Sequence, residues 1–257
     1  MLYNKSCLGA RGMRILPPRS VDLILCDLPY GMTNCSWDIV LPWEPLWDQY
    51  KRIIKKTGVI CLFSSQPFTT DLICSNREMF KYCWYWKKSK PNGWQHSKNK
   101  PMSTIEEICV FSKAPMGHKS LLGSRRMSYN PQGIKSIGAK RVIKGAHGRT
   151  MGARPNQVGR EYESFTGFPH NLLEFPNVVG SKALHPTQKP LELCEYLIKT
   201  YTKPGDLVLD NCAGSGSTLV AAKRLKRRYI GWEWDPDFPH DQFYKLALQR
   251  LKKGSLE

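Results

Sequence analysis

Three features of the sequence predict an α/β fold, a doubly wound and mostly parallel sheet with helices on both faces. Short apolar runs alternate with helical patterns along the chain. Two of those runs, VDLILC and DLVLD, end directly at polar or glycine-rich turns, as buried parallel strands do. The 257 residues, 41% of them hydrophobic, suffice for one sizeable domain or one domain with a large insertion.

The elements follow in order. VDLILC (21–26) reads as a buried strand. EPLWDQYKRIIKK (44–56) reads as a helix, with basic residues in its last turn and Gly58 as its stop. Strand VICLFSS, a helix over 67–80, strand KYCWYWKK and strand EEICVFSK, ending near Lys113, come next. Residues 114–180 are rich in Gly, Arg, Ser, Asn and Pro and show little periodicity. So long an irregular stretch is expected to be a functional loop region or disordered. Regular patterns resume with a helix at 191–201, strand 206–210, helix 217–225 and strand 228–234. An amphipathic helix over 241–252 closes the chain.

Composition excludes several classes. No window reaches the ~18 uninterrupted apolar residues of a membrane span. The start, MLYNKSCLGARGMRIL, lacks the features of a secretory signal, so a reducing cytoplasm is expected. The nine cysteines are scattered without C-x-x-C, and the six histidines show no ligand spacing, so no metal site is expected. The net charge of +18 is concentrated: residues 81–160 hold 17 Lys and Arg against two acids, Glu106 and Glu107. Interleaved with Trp84, Trp86, Trp94 and Tyr129, this charge matches a nucleic-acid polyanion; the plainer alternative is a solvated basic loop.

Two segments carry chemistry. Asp210-Asn211-Cys212-Ala213-Gly214-Ser215-Gly216-Ser217-Thr218 has the form strand, acid, glycine-rich turn, helix. Glycines 214 and 216 would admit a ligand close to the backbone at a helix N-terminus. Glu233 ends the next strand, where a carboxylate can accept both hydroxyls of a ribose. The nicotinamide fingerprint would need glycine where Leu219 stands, and no Gly-Lys-Ser/Thr phosphate loop is present. An adenosine-type ligand remains, and adenosylmethionine fits. The other segment, Asp27-Leu28-Pro29-Tyr30-Gly31, can by itself be an ordinary turn. At the carboxyl end of a core strand it also offers a carboxylate at Asp27, a carbonyl at Leu28 and an aromatic face at Tyr30. Those groups suit an amino-bearing base.

With these segments the chain resembles the DNA amino-methyltransferases of the permuted, so-called beta arrangement. Tyr3-Asn4-Lys5-Ser6-Cys7-Leu8 looks like the family's opening strand and turn. His185-Pro186-Thr187-Gln188-Lys189-Pro190 matches the segment that touches the cofactor. The resemblance implies a seven-stranded, circularly permuted, Rossmann-like class I methyltransferase fold. Residues 1–113 would form its catalytic half, 114–180 an inserted target-recognition region and 181–257 its adenosylmethionine-binding half. Two departures stand out: Leu28 replaces the usual first proline of D-P-P-Y, and Ser6 stands where an acid is common.

The implied cofactor is S-adenosylmethionine, held by Ser6, Asp27, His185, Thr187, Lys189, Asp210, Cys212, Ala213, Gly214, Ser215, Gly216, Ser217, Thr218, Glu233 and Trp234. Asp27, Leu28, Pro29 and Tyr30 form the expected catalytic set. Lys119, Arg125, Arg126, Lys140, Arg141, Arg149 and Arg154 are the expected contacts to double-stranded DNA. The expected product is 6-methyladenine in a flipped base, since cytosine 4-amino enzymes of the family commonly begin the motif with Ser. Methylation at a cytosine ring carbon would typically use a Pro-Cys pair, which the chain lacks. Other readings are a cytosine 4-amino enzyme, an RNA methyltransferase, and a non-catalytic nucleic-acid-binding subunit. A homodimer and a cognate restriction endonuclease complete the expected partners.

Overall fold

Along Val21–Asp27 (β2) successive side chains go to opposite faces of a sheet. Leu23 and Leu25 enter one core and Ile24 and Cys26 another, so both faces are covered and residues 23–26 are apolar without a break. The computed structural model describes residues 1–117, 122–145, 158–178, 188–234 and 242–253, and the backbone alone of 147–148 and 152–153. The strands are β1 (Leu2–Asn4), β2, β3 (Ile54–Ser64), β4 (Phe80–Asn92), β5 (Ser103–Phe111), β6 (Lys135–Val142), β7 (His147–Gly148), β8 (Gly152–Ala153), β9 (Glu161–Thr166), β10 (Leu172–Glu174), β11 (Leu207–Asp210) and β12 (Arg228–Glu233). The helices are α1 (Trp43–Ile53), α2 (Phe68–Ser75), α3 (Leu191–Tyr201), α4 (Ser217–Arg224) and α5 (Gln242–Lys253).

One sheet holds eight strands in the order β1-β12-β11-β2-β3-β5-β4-β10. Only β5 runs against its neighbours, β3 and β4. The eighth strand, β10, lies in the stretch read as irregular; it adds parallel to the edge strand β4 and gives one strand more than the seven expected. Helices α1 and α2 cover one face with Leu46, Trp47, Tyr50, Ile53, Phe68 and Leu72. Helix α3 covers the other with Leu193, Leu197, Ile198 and Tyr201.

Several boundaries differ from the sequence reading. Helix α1 ends at Ile53 and β3 begins at Ile54, so Ile54-Lys55-Lys56 belongs to the strand and Gly58 does not stop the helix. Gly58 lies inside β3, where a Cβ would meet the Ile54 side chain at 2.9 Å and the Asp22 carbonyl at 3.0 Å. Glycine there permits the irregular pairing of β2 with β3. Helix α2 stops at Ser75 rather than Phe80, and β4 runs on to Asn92.

Two compact units divide the chain. The larger comprises Met1–Asn130 and Asn171–Glu257; the smaller spans Pro131–His170. The smaller unit contains an antiparallel β6–β9 ribbon, with Lys140 opposite Glu163 and Arg141 opposite Tyr162. No helix among the described residues is long and apolar enough to cross a membrane.

Candidate active site

The strand order reverses between β2 and β11, which lie side by side and parallel. Crevices outside the carboxyl ends of strands at such a switch point are the ligand sites of open α/β sheets. A cavity of about 990 Å³ opens there. Asp27, Leu28, Pro29 and Tyr30 line it from the end of β2. Asp210, Cys212, Ala213, Gly214, Ser215, Ser217 and Thr218 line it from the end of β11, together with Ser6, Lys189, Glu233 and Trp234. His185, Thr187, Lys119, Arg149 and Arg154 lie outside the described residues.

At the β2 end the carboxylate of Asp27 is already engaged. Its Oδ1 accepts the Tyr30 hydroxyl at 2.7 Å and its Oδ2 accepts Lys189 Nζ at 2.6 Å. Lys189 also reaches Glu106 Oε1 at 2.9 Å, and Lys88 holds the other oxygen of Glu106 at 2.8 Å. Glu106 and Lys88 are each 8% exposed by side chain. Two carboxylates and two ammonium groups thus balance in a nearly dry place; removing one partner of such a pair costs about 3–5 kcal/mol. Burial, with the nearby charge of Glu106, raises the Asp27 carboxyl above its usual range against the pull of Lys189. Burial opposes the charge of Glu106, but Lys189 and Lys88 outweigh it and lower its pKa. Lys189 is held charged in the same way: burial disfavours it, while Asp27 and Glu106 raise its pKa.

The Tyr30 ring stacks on Phe68 with centroids 4.9 Å apart. Behind it, one carboxylate shapes the following loop. Asp38 accepts the backbone N–H groups of Tyr30, Gly31, Met32 and Thr33 at 2.7, 2.9, 2.9 and 2.8 Å, and the Thr33 hydroxyl at 2.8 Å. Burial works against its charge, yet these donors prevail and lower its pKa. Gly31, at φ +68°, supplies the left-handed turn that gathers them.

The β11 end is built from backbone and small side chains. Glu233 Oε2 accepts the Gly214 N–H at 2.6 Å, so the acid at the end of β12 also fixes the glycine-rich turn. Buried Arg250 on α5 holds the turn from behind, donating to the Ser215 carbonyl at 2.7 Å and to the hydroxyls of Ser215 and Ser217 at 3.0 and 3.2 Å. Gly216 requires a correction. It does not line the cavity; a Cβ there would meet the Cβ of Ala247 at 2.9 Å, so this glycine lets α5 pack against the turn. Burial, tempered by the Cys212 N–H, raises Asp210 to about 7.

This pairing of an Asp-Leu-Pro-Tyr strand end with a glycine-rich, acid-flanked turn has counterparts among known proteins. The family model for N6/N4 methyltransferases, described as DNA methylase, matches residues 21–241. The chain belongs to the N6/N4 DNA methylase family. It is 42% identical to type II methyltransferase M.HindIII of Haemophilus influenzae, over 97% of this chain and 94% of that one. It is 27% identical to DNA adenine methyltransferase YhdJ of Escherichia coli, over 95% of this chain and 80% of that one. The structure of an M1.HpyAVI–SAM complex superposes with a TM-score of 0.59 at 21% identity, over 98% of each chain. PvuII DNA methyltransferase, cytosine-N4-specific, gives 0.61 at 16% identity, over 99% of this chain and 93% of that one. At such identities the structural likeness speaks for the fold alone.

As an N6/N4 DNA methylase the chain takes its methyl group from S-adenosylmethionine. The residues present suit that group. The Gly214 turn and Glu233 offer polar partners to a nucleoside, and the cavity has the size of a cofactor site. The sequence reading missed Lys88, Glu106 and Asp38, and it missed Arg250. Glu106 falls in an ordinary strand pattern, EEICVF, and only pairing of β5 with β4 brings it beside Lys88. Of the expected DNA contacts, Arg125 is exposed and Arg126 half-buried in the larger unit, while Lys140 and Arg141 are exposed on β6 in the smaller one.

Proposed function

We propose that this DNA amino-methyltransferase acts on the 6-amino group of adenine in duplex DNA, taken from the stack into the cavity. The observation that carries the reading is Asp27, with its Leu28 carbonyl, at a strand end next to the Asp210–Thr218 turn in one cavity. An exocyclic amine is a weak nucleophile because its lone pair is shared with the ring. A carboxylate has about four acceptor sites. Lys189 and the Tyr30 hydroxyl use one on each oxygen of Asp27, and capacity remains for an amine N–H. With one proton accepted there and the other at the Leu28 carbonyl, the nitrogen turns pyramidal and its lone pair is released. The target ring stacks on Tyr30 on the side away from Phe68.

Adenosylmethionine, when bound, supplies an electrophilic methyl on a sulfonium. As the nitrogen gains the methyl it must lose a proton, and Asp27, whose carboxyl burial raises, is the acceptor in reach. Lys189 and Glu106 keep that carboxylate in place, so catalysis is mostly positioning and electrostatics. Asp rather than Ser at position 27 supports adenine over cytosine, as does the similarity to the adenine methyltransferase YhdJ. Ser6, the turn residues 212–215, 217 and 218, Glu233 and Trp234 hold the cofactor in this reading, and Arg125, Arg126, Lys140 and Arg141 meet the DNA backbone. The protein would work in the cytoplasm on DNA. A second copy of the chain and a cognate restriction endonuclease are the protein partners to look for, the latter in keeping with the type II name of M.HindIII.

The test is the product. The purified chain, adenosylmethionine and duplex DNA of mixed sequence are expected to give 6-methyladenine when digested nucleosides are weighed by mass spectrometry. Only 4-methylcytosine would overturn the base assignment and keep the mechanism. Methylation of RNA but not DNA would overturn the substrate.

A further inference from the structure

Trp94 is the most exposed large apolar residue described in the chain, at 75%. A single exposed apolar side chain is ordinary, so its place in the molecule is what sets Trp94 apart. It stands in the connection between β4 and β5, in a short 3-10 turn over Trp94–His96. The turn is ordered: the His96 and Lys100 N–H groups are bonded to the Gly93 and His96 carbonyls at 3.0 Å each. Its neighbours Gly93 and Gln95 line the cavity that holds Asp27, as does Lys100 further along the connection. From Lys90, near the end of β4, to Ile105 there are three lysines, at 90, 98 and 100, all exposed, and no acid. An apolar wedge therefore sits at the rim of the active-site cavity, on a connection charged to meet phosphates.

We propose that Trp94 is a positioning residue for the methyl transfer, entering the base stack of duplex DNA where the target base leaves it. This rests on the reading that the target base is extruded into the cavity. Extrusion breaks the target's pairing and its stacking on two neighbours. An indole delivered from the cavity rim replaces part of that stacking and blocks the base's return, as apolar side chains inserted between base steps do. The lysines of the same connection bring the wedge to the backbone by charge. Trp94 touches neither cofactor nor reacting atoms in this role, so its loss should spare cofactor binding.

The position methylated by the wild-type chain in plasmid DNA is mapped first, and duplexes carrying it are synthesised intact and with an abasic site facing the target. Trp94→Ala and Trp94→Phe are compared with the wild type in kcat/KM on both duplexes and in adenosylmethionine affinity by calorimetry. On intact duplex Trp94→Ala is expected to lose about tenfold or more, the loss typical of a base–aromatic stack, with Trp94→Phe between it and the wild type. On the abasic-opposed duplex, whose target is already unpaired, the variant should recover to within about threefold of the wild type. Cofactor affinity should be unchanged. Equal activity of Trp94→Ala and wild type on intact duplex overturns the proposal. So does an equal loss on both duplexes, or a change of oligomeric state with methylation intact. The wild-type product identifies the methylated base independently, so failure of the adenine reading and failure of the wedge are told apart.

Discussion

At the end of β2 the cavity wall is charged side chain: Asp27, Lys189, Glu106 and Lys88, linked by contacts of 2.6 to 2.9 Å. At the end of β11, the adjacent strand, it is backbone and small residues, the turn from Cys212 to Thr218 with Glu233 on one of its amides. Side-chain charge suits the place where protons and charge move during reaction. Backbone amides suit a ligand that has only to be held. The two ends should therefore fail separately, one losing chemistry and the other losing affinity.

The largest effect is expected from Asp27→Ala. Methyl transfer should fall by about a thousandfold or more, as when a group that acts on the transition state is removed. Adenosylmethionine affinity by calorimetry should stay within a few-fold. A matching loss of cofactor affinity would erase the distinction between the ends. Glu233→Ala should show the reverse pattern at smaller size. Cofactor affinity drops by about ten- to a hundredfold, as for a lost charge-assisted hydrogen bond, and turnover at saturating cofactor is largely kept.

A third effect, read on stability rather than on activity, concerns Asp210 and pH. Its folded pKa, about 7, lies above the ordinary 3.8. Between those values the folded chain holds a proton that the unfolded chain has released, so this carboxyl makes stability fall as pH rises from 3.8 to about 7 and adds no slope above. Denaturant titrations across that range should show a shallower decline in Asp210→Asn than in the wild type. An unchanged decline would place the titrating group elsewhere.

How much of this was legible in the sequence differs at the two ends as well. The turn at 210–218 is contiguous, and its strand, glycines and helix can be read in a line. Asp27 and Tyr30 are equally local. Their partners are not: Lys189 comes from 162 residues downstream and Glu106 from an antiparallel strand whose register no local pattern states. Asp38 belongs to no sequence motif, and only the fold gathers five donors around it. The boundary at Ile53–Ile54 was missed because Ile-Ile-Lys-Lys fits helix and strand alike, and Gly58 looked like a stop when it serves a close strand approach. Gly216 was legible as a glycine but not as a seat for Ala247, a residue 31 positions away in sequence on a different helix.

The Asp38 carboxylate has a consequence for timing. A loop beside an active site commonly loses conformational freedom when its ligand arrives, and that lost entropy weakens and slows binding. Residues 30–33 have already surrendered theirs, because four consecutive amides converge on one side chain when the chain folds. If the target base stacks on Tyr30 as proposed, it meets a loop whose backbone is already set.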